Sequence, residues 1–269
     1  MGTSGHDLDS LLHAMWVDYV RLTPQAGRIH DAFVARGETV INDHIALRTI
    51  RHPKLGLDQL GRVFEALGYR KMAPYQFKEK KLLAHHYEHA DETKPKIFIS
   101  ELLLDQFSPG LQKILNRLVD SIPESDLTRP DFCYLGRPWT LASSEYLALA
   151  EESEYASWVA AYGFRPNHFT VSVNHLKHLG TLPAVNEFVK GLGYRLNASG
   201  GEIKGSKSDL LEQSSTMADS ASVEFSDREL PVPSCYYEFA LRHPMPNGKL
   251  YPGFVAASAD KIFESTNRS

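Results

Sequence analysis

The sequence predicts an α+β fold in which two pseudo-symmetric β-α-β-β-β modules curl into one half-barrel, with helices added at the N-terminus and between the modules. Three observations carry this. Leu67-Gly68-Tyr69-Arg70 recurs as Leu192-Gly193-Tyr194-Arg195, 125 residues further on. His44 and His168, each inside a strand-like run, stand 124 residues apart, so tetrapeptide and histidine repeat within one residue of each other. Each histidine run is also followed by a short helical pattern and then by further strand-like runs. A glycine that ends a helix before a strand is common, and four matching letters prove little; agreement between two independent spacings marks an internal duplication.

Taken in order, residues 1–37 read as two helices. Leu11, Leu12, Met15, Trp16, Tyr19 and Val20 recur at helical spacing behind Asp7 or Asp9 as a cap, and Thr23-Pro24 starts a second helix that Gly37 stops. Module one, residues 38–105, opens on the strand Asn42-Asp43-His44-Ile45-Ala46-Leu47-Arg48-Thr49. A helix with Leu57, Leu60, Val63, Phe64 and Leu67 follows, then strands near 70–78, 82–89 and 96–104. Residues 106–165 read as a helical insert, with one helix from Ser108-Pro109 and another from Ser143 or Ser144 running through Tyr155, Trp158 and Val159. Module two, residues 166–243, opens on the strand 167–174 and a helix through Leu182, Val185, Phe188, Val189 and Leu192. A Gly/Ser-rich hairpin or loop spans 198–221, Val223-Glu224-Phe225 is a short strand, and Pro231-Val232-Pro233 reads as loop. Cys235 to Arg242 alternates as the module's last strand, and 244–269 reads as a closing strand or short helix. The 269 residues then form a single domain.

Composition narrows the function. With 29 basic against 33 acidic side chains the formal net charge is −4, so no basic excess invites nucleic acid or an anionic membrane. No apolar run approaches the ~18 residues a membrane helix needs, and residues 1–9 lack a basic leader segment. Cys133 and Cys235 stand alone, which suggests free thiols in a reducing compartment, the cytoplasm by default. G-x-S-x-G, P-loop and dinucleotide fingerprints do not occur.

The chemistry-bearing residues lie on the strands that begin and end the modules. Alternation puts His44, Ala46 and Arg48 on one face, so an imidazole and a guanidinium share it, roughly 13 Å apart at ~3.3 Å per residue. That separation suits a small dicarboxylate held between a metal and a cation. Tyr236, Glu238 and Arg242 share a face of the last strand, where a carboxylate among aromatic residues needs an arginine or a metal as partner. Two histidines and one carboxylate on three strands are the ligands of the facial triad that leaves three positions open on Fe²⁺; the candidates are His44, His168 and Glu238, and the half-barrel is read as metal-centred. Zinc and nickel also bind imidazole.

Four runs extend this reading: Asn42 to Arg48, Asn167-His168-Phe169-Thr170, Leu211-Glu212-Gln213-Ser214-Ser215-Thr216, and Cys235-Tyr236-Tyr237-Glu238-Phe239. In them the chain resembles the 2-oxoadipate dioxygenase/decarboxylase family, whose fold is similar to that of the vicinal oxygen chelate superfamily, and the resemblance covers roughly residues 10 to 265. It implies a non-haem Fe²⁺ enzyme of lysine catabolism with ligands His44, His168 and Glu238, and with Arg48 gripping the substrate carboxylate. It further implies a small 2-oxo acid and O₂ as reactants, 2-oxoadipate giving 2-hydroxyglutarate and CO₂. Ser214, Ser215 and Thr216 can hydrogen-bond a carboxylate, although serine runs are also plain loop or edge, and Tyr236 can orient substrate or simply fill core.

Other readings compete. Glu101 is taken as the module-one counterpart of Glu238 and is expected near the site as a supporting residue. As a fourth ligand it would point to a glyoxalase-type lyase or isomerase instead. A non-catalytic protein that sequesters small ligands is a further alternative. His85-His86-Tyr87-Glu88-His89 has the letters of a zinc peptidase motif, which requires a helix, but falls where module one needs a strand. His175, His178 and His243 are expected to face solvent.

Overall fold

The computed structural model describes residues 7–266. Helix α1 (Leu8–Leu22) is capped by Asp7, whose side chain accepts from the Ser10 amide at 2.7 Å, and buries Leu11, Met15 and Tyr19. Helix α2 (Pro24–Ala35) carries proline in its first turn. Thr23 stands at the N-cap position but makes no side-chain cap bond. Its end is a Schellman turn: Gly37 takes φ +86°, the Glu38 amide donates to Phe33 O, and the Gly37 amide donates to Val34 O.

Module one follows as β1 (Asn42–Ile50), α3 (Leu57–Glu65), β2 (Tyr69–Phe77), β3 (Leu82–His89) and β4 (Lys96–Leu102). The connecting helices are α4 (Pro109–Asp120), α5 (Glu124–Leu127), α6 (Ser143–Glu152) and α7 (Glu154–Tyr162). The sequence suggests one helix through 143–159, but the chain breaks at Ser153, whose side chain accepts from the Ala156 amide and caps α7. Helix α6 is preceded by Ala142 rather than a serine cap; the Glu145 side chain accepts from the Ala142 amide instead. Module two runs β5 (Pro166–Ser172), α8 (Leu182–Gly191), β6 (Lys204–Ser206), β7 (Leu211–Ser215), β8 (Ser220–Glu224), β9 (Glu229–Pro233) and β10 (Tyr236–Arg242). Strand β5 stops at Ser172, short of the expected 174, and turns into 3-10 helix at Val173. Helix α9 (Ala256–Ile262) and a 3-10 turn (Phe263–Thr266) close the described chain.

Eight strands form one sheet in the order β2-β3-β4-β1-β5-β10-β7-β6. Each half repeats the same plan. The first strand pairs parallel with the last (β1 with β4, β5 with β10), and the other two continue outward antiparallel. The halves meet where β1 pairs antiparallel with β5 at the centre of the sheet. The repeated tetrapeptide has the same backbone role twice, because Gly68 and Gly193, just past α3 and α8, take φ +93° and +90°. β8 and β9 form a separate ribbon between β7 and β10 that module one lacks. Pro231-Val232-Pro233 is therefore strand, not loop. Prolines two residues apart direct their missing N–H groups to the same side, and a strand with a single partner has one side free.

One face of the sheet packs under helices: Phe169 against Trp16 and Tyr19 of α1, and Phe239 and Phe33 of α2 edge to face. The other face carries the site. Helix α7 covers its Arg48 end and the closing segment, residues 254–263, covers its middle. Among the described residues no helix is long and apolar enough to cross a membrane.

Candidate metal centre

The strand registers place the predicted residues on one face. His44 lies opposite Thr170 and Ala46 opposite His168 across the central pair, while Tyr236 adjoins His168 and Glu238 adjoins Thr170. Directly paired residues project to the same side of a sheet, so His44, His168 and Glu238 converge although they lie on three strands. All three are buried, and their ligand atoms lie within 4.8 Å of one another, a group that could hold a metal ion. Glu238 Oε1 stands 3.5 Å from His44 Nε2, and Oε2 3.2 Å from His168 Nε2.

Neighbours aim each side chain. His44 Nδ1–H donates to Asp43 at 2.8 Å, which fixes the tautomer and leaves Nε2 to face the centre, where the Thr170 hydroxyl donates to it at 3.1 Å. His168 Nδ1 bonds Asn167 Oδ1 at 3.1 Å, and the Tyr236 ring stacks on its imidazole at 4.6 Å. Gln213 Nε2 donates to Glu238 Oε1 at 2.5 Å; Glu238 Oε2 has no hydrogen-bond partner among the described residues. Behind Asp43 stands Arg242, whose Nε and Nη2 reach its two oxygens at 2.7 and 2.8 Å and whose Nη1 donates to Tyr251 O and Gly253 O. His44 is thus tied through Asp43 and Arg242 to the backbone at Tyr251 and Gly253, just before the closing segment. Neither Asp43 nor Arg242 was singled out from sequence as a support for His44.

Electrostatics fit a cation site. Burial, with His44 and Arg48 nearby, holds the His168 imidazole well below its usual range, so it is neutral as a ligand must be. Burial raises the Glu238 carboxyl, with His44 and Gln213 opposing. Burial also works against ionisation of Asp43, yet the Arg242 guanidinium and His44 outweigh it and hold that carboxyl far below the normal carboxylate range. A buried carboxylate with one orphaned oxygen, set against two imidazole Nε2 atoms, has the donor set a divalent transition metal takes.

Other sequence-derived candidates fall where register puts them. Arg48 is on the site face, 1% exposed, with Nη1 on Glu154 at 2.9 Å and Nη2 on the Thr266 hydroxyl at 3.1 Å; Tyr155 and Trp158 lie about its guanidinium at 4.8 and 5.0 Å. It is already engaged, and only its Nε lacks a partner among the described residues. Tyr236 OH is likewise buried and unpartnered. Ser215 pairs with Glu238 on the site face and bonds Ser265 at 2.8 Å. Ser214 sits one residue out of phase, beside Phe239, and donates to Asn186 of α8 at 2.6 Å; it turns away from the centre, contrary to expectation.

Glu101 also corrects the sequence reading. It pairs with Thr49 rather than Arg48, so it projects to the helix side, where it receives Arg51 Nε at 2.7 Å and caps α3 through the Leu57 amide at 3.0 Å. It is neither ligand nor neighbour of the site. The position two residues along from His44 pairs with Phe98, as that two along from His168 pairs with Glu238. Phe98 is therefore the true counterpart of Glu238, and it lines the same pocket. The 85–89 run is strand β3, which excludes the peptidase geometry, and His86 bonds Tyr75 OH and Glu88. His175 and His178 are exposed, whereas His243 is half-buried and bonded to Glu212 at 2.7 Å.

Phe98, Phe254, Ile262 and Phe263 wall in His44, His168 and Glu238 and leave ≈ 20 Å³ among them. One water fills such a space.

Fold and site together define a class: a paired-module α+β protein whose central seam gathers two histidines and one carboxylate into a pocket that could hold a metal ion. Residues 9–126 and 137–251 match the family described as 2-oxoadipate dioxygenase/decarboxylase. The chain is 36% identical over 250 residues to the chloroplastic 2-oxoadipate dioxygenase/decarboxylase of Arabidopsis thaliana, covering 83% of this chain and 67% of that protein. Among solved structures, a protein of Shewanella frigidimarina described as a hydrolase is 49% identical, with a TM-score of 0.90 over 95% of this chain and 100% of that one. The hydroxyglutarate synthase of Oryza sativa, solved in complex with 2-oxoadipate, is 32% identical with a TM-score of 0.89 over 96% of this chain and 91% of that one. This chain belongs to the 2-oxoadipate dioxygenase/decarboxylase family.

Proposed function

We propose that the protein is an Fe²⁺-dependent dioxygenase and decarboxylase of a 2-oxo dicarboxylic acid, converting 2-oxoadipate and O₂ into 2-hydroxyglutarate and CO₂. The observation that carries this is the three-residue centre itself, two imidazole nitrogens and one orphaned carboxylate oxygen with no fourth histidine, cysteine or carboxylate grouped with them among the described residues. His44, His168 and Glu238 would hold the iron. Bound Fe²⁺ supplies redox activation of O₂ and chelation of the 2-oxo acid, and three protein ligands keep three positions open for both.

The chain's own residues do the rest. Asp43 keeps the His44 proton on Nδ1, so Nε2 stays a donor to metal. Gln213 occupies one Glu238 oxygen and turns the other inward. Arg48, on the His44 face with a free Nε–H, is placed to take the distal carboxylate of a dicarboxylic acid, the contact that separates a diacid from a monoacid. The Tyr236 hydroxyl, protonated because burial and Glu238 raise it well above its ordinary value, is a buried hydrogen-bond donor without a partner among the described residues, on the strand face that carries Glu238. Phe98, Phe254 and Phe263 exclude water from the reacting carbons. The lyase reading loses its fourth ligand with Glu101 on the far face. Two buried free thiols fit a reducing compartment, and we place the protein in the cytoplasm.

O₂ uptake by anaerobically Fe²⁺-reconstituted protein tests the proposal, with 2-oxoadipate, 2-oxoglutarate, and methylglyoxal plus glutathione in parallel. We expect uptake that requires both iron and 2-oxoadipate, with one CO₂ released per O₂. Turnover of the glutathione adduct without O₂, and no uptake with any 2-oxo acid, would overturn it.

A further inference from the structure

The space at the ligands is ≈ 20 Å³, too small for a six-carbon diacid, so the pocket wall has to open on one side. Most of that wall is apolar side chain packed to exclusion: Phe254, Ile262 and Phe263 are each 5% exposed or less. The Arg48 end is different. Outside it lies a cavity of ≈ 260 Å³ whose lining includes Glu154, Trp158 and Thr266, all three of which touch the Arg48 guanidinium. Arg48 is 1% exposed, but the Glu154 side chain that holds its Nη1 is 29% exposed, at the first position of α7. The carboxylate is already partly in water, and the buried guanidinium it leaves is not stranded when a second carboxylate takes its place.

We propose that Glu154 is an exchangeable stand-in for the substrate's distal carboxylate: a 2-oxo diacid docks in the outer cavity, displaces Glu154 from Arg48, and the competition between the two carboxylates sets how strongly diacids are selected. The inference rests on the reading of Arg48 as the carboxylate grip. Chemical identity makes the exchange direct, because the group that leaves Arg48 and the group that replaces it are both carboxylates, and no buried donor is left unpaired. Thr266 completes the arrangement. Its hydroxyl accepts from Nη2, so that donor stays paired while one carboxylate replaces the other at Nη1.

Glu154→Gln keeps an oxygen for Nη1 and removes the competing charge. Adipate, which lacks the keto group and is not turned over, is titrated calorimetrically into metal-free protein beside hexanoate. Adipate binding is expected to tighten by about two- to fivefold in the variant while its advantage over hexanoate grows by the same factor. In the iron-loaded enzyme the KM for 2-oxoadipate relative to that for 2-oxohexanoate should fall likewise. Ala150→Trp, which fills the outer cavity from α6, should lower kcat/KM for the diacid. Unchanged or weaker adipate binding in Glu154→Gln would overturn the proposal. Arg48→Met separates its failure from that of the underlying reading. If that variant still prefers adipate to hexanoate, Arg48 is not the grip. If it loses the preference and Glu154→Gln has no effect, only the exchange is wrong.

Discussion

Replacing Asp43 by asparagine strikes the carboxylate that holds both the candidate ligand His44 and Arg242, and through Arg242 the backbone at Tyr251 and Gly253. In the native chain Asp43 accepts from Arg242 Nε and Nη2 and from His44 Nδ1, with both side chains of the ion pair 5% exposed or less. An amide offers one oxygen where two were used, and leaves the guanidinium buried without a counter-charge. Removing one partner of such a pair costs about 3–5 kcal/mol, and the remaining oxygen should hold the loss near the lower figure. The amide can also donate to Nδ1, which would move the imidazole proton to Nε2 and turn a metal donor into an N–H. Loss of such outer support lowers metal affinity by about 10- to 100-fold. Urea melts of metal-free protein give the first quantity and competition with a chromophoric chelator gives the second. Arg242→Met and the Asp43→Asn/Arg242→Met double variant complete a cycle in which we expect about 2–3 kcal/mol of coupling, the double variant being more stable than the sum of the singles predicts. Additive losses, to within about 0.5 kcal/mol, together with unchanged metal affinity, would refute the argument that Asp43 joins Arg242 to His44.

Metal content falls from about one equivalent to near zero in His168→Ala while far-ultraviolet circular dichroism is retained; full occupancy by metal analysis would remove His168 from the coordination sphere. The neutral His168 imidazole gives a pH signature in metal-free protein. Its folded value lies below that of the unfolded chain, so stability holds above about pH 6.5 and declines below it as the unfolded state alone takes up the proton, by up to about 1.4 kcal/mol per pH unit for this group. Urea melts between pH 5 and 8 should show that decline, shallower in His168→Asn, and an identical slope in the variant would assign the effect elsewhere. Burial pushes the Cys235 thiol up to about 12 and the Cys133 thiol higher still, so a disulfide reagent at pH 8 should modify neither until denaturant is added; fast reaction of native protein would contradict that packing.

Much of the architecture was legible because repetition is a property of letters. The tetrapeptide and the histidines marked the two modules, and alternation along Cys235 to Arg242 put Glu238 and Arg242 on one face, where the structure has them. Misreadings came from parity. Counting residues placed Glu101 opposite Glu238, but strand faces change with every residue, and a slip of three from Phe98 carries the side chain through the sheet to α3. Ser214 and Ser215 differ by the same rule. Contacts across long separations left no local trace: Asp43 meets Arg242 over 199 residues and Arg48 meets Thr266 over 218, so neither the support of His44 nor the occupancy of Arg48 could be read from spacing. Ser153 ended one helix and began another because a side-chain cap there outcompetes continuation, a choice helical periodicity does not register.

The central β1–β5 pairing bears on cooperativity. His44 belongs to one module, His168 and Glu238 to the other, and all three stand on or beside the strands where the halves meet. An ion held by them would be a cross-brace between two structural repeats, and its binding free energy would appear in full as work against their separation. Metal-loaded protein should then melt as one unit, while stripped protein could lose one half of the sheet before the other. Limited proteolysis at the inter-module helices would make that difference visible, with the chelator as the only variable.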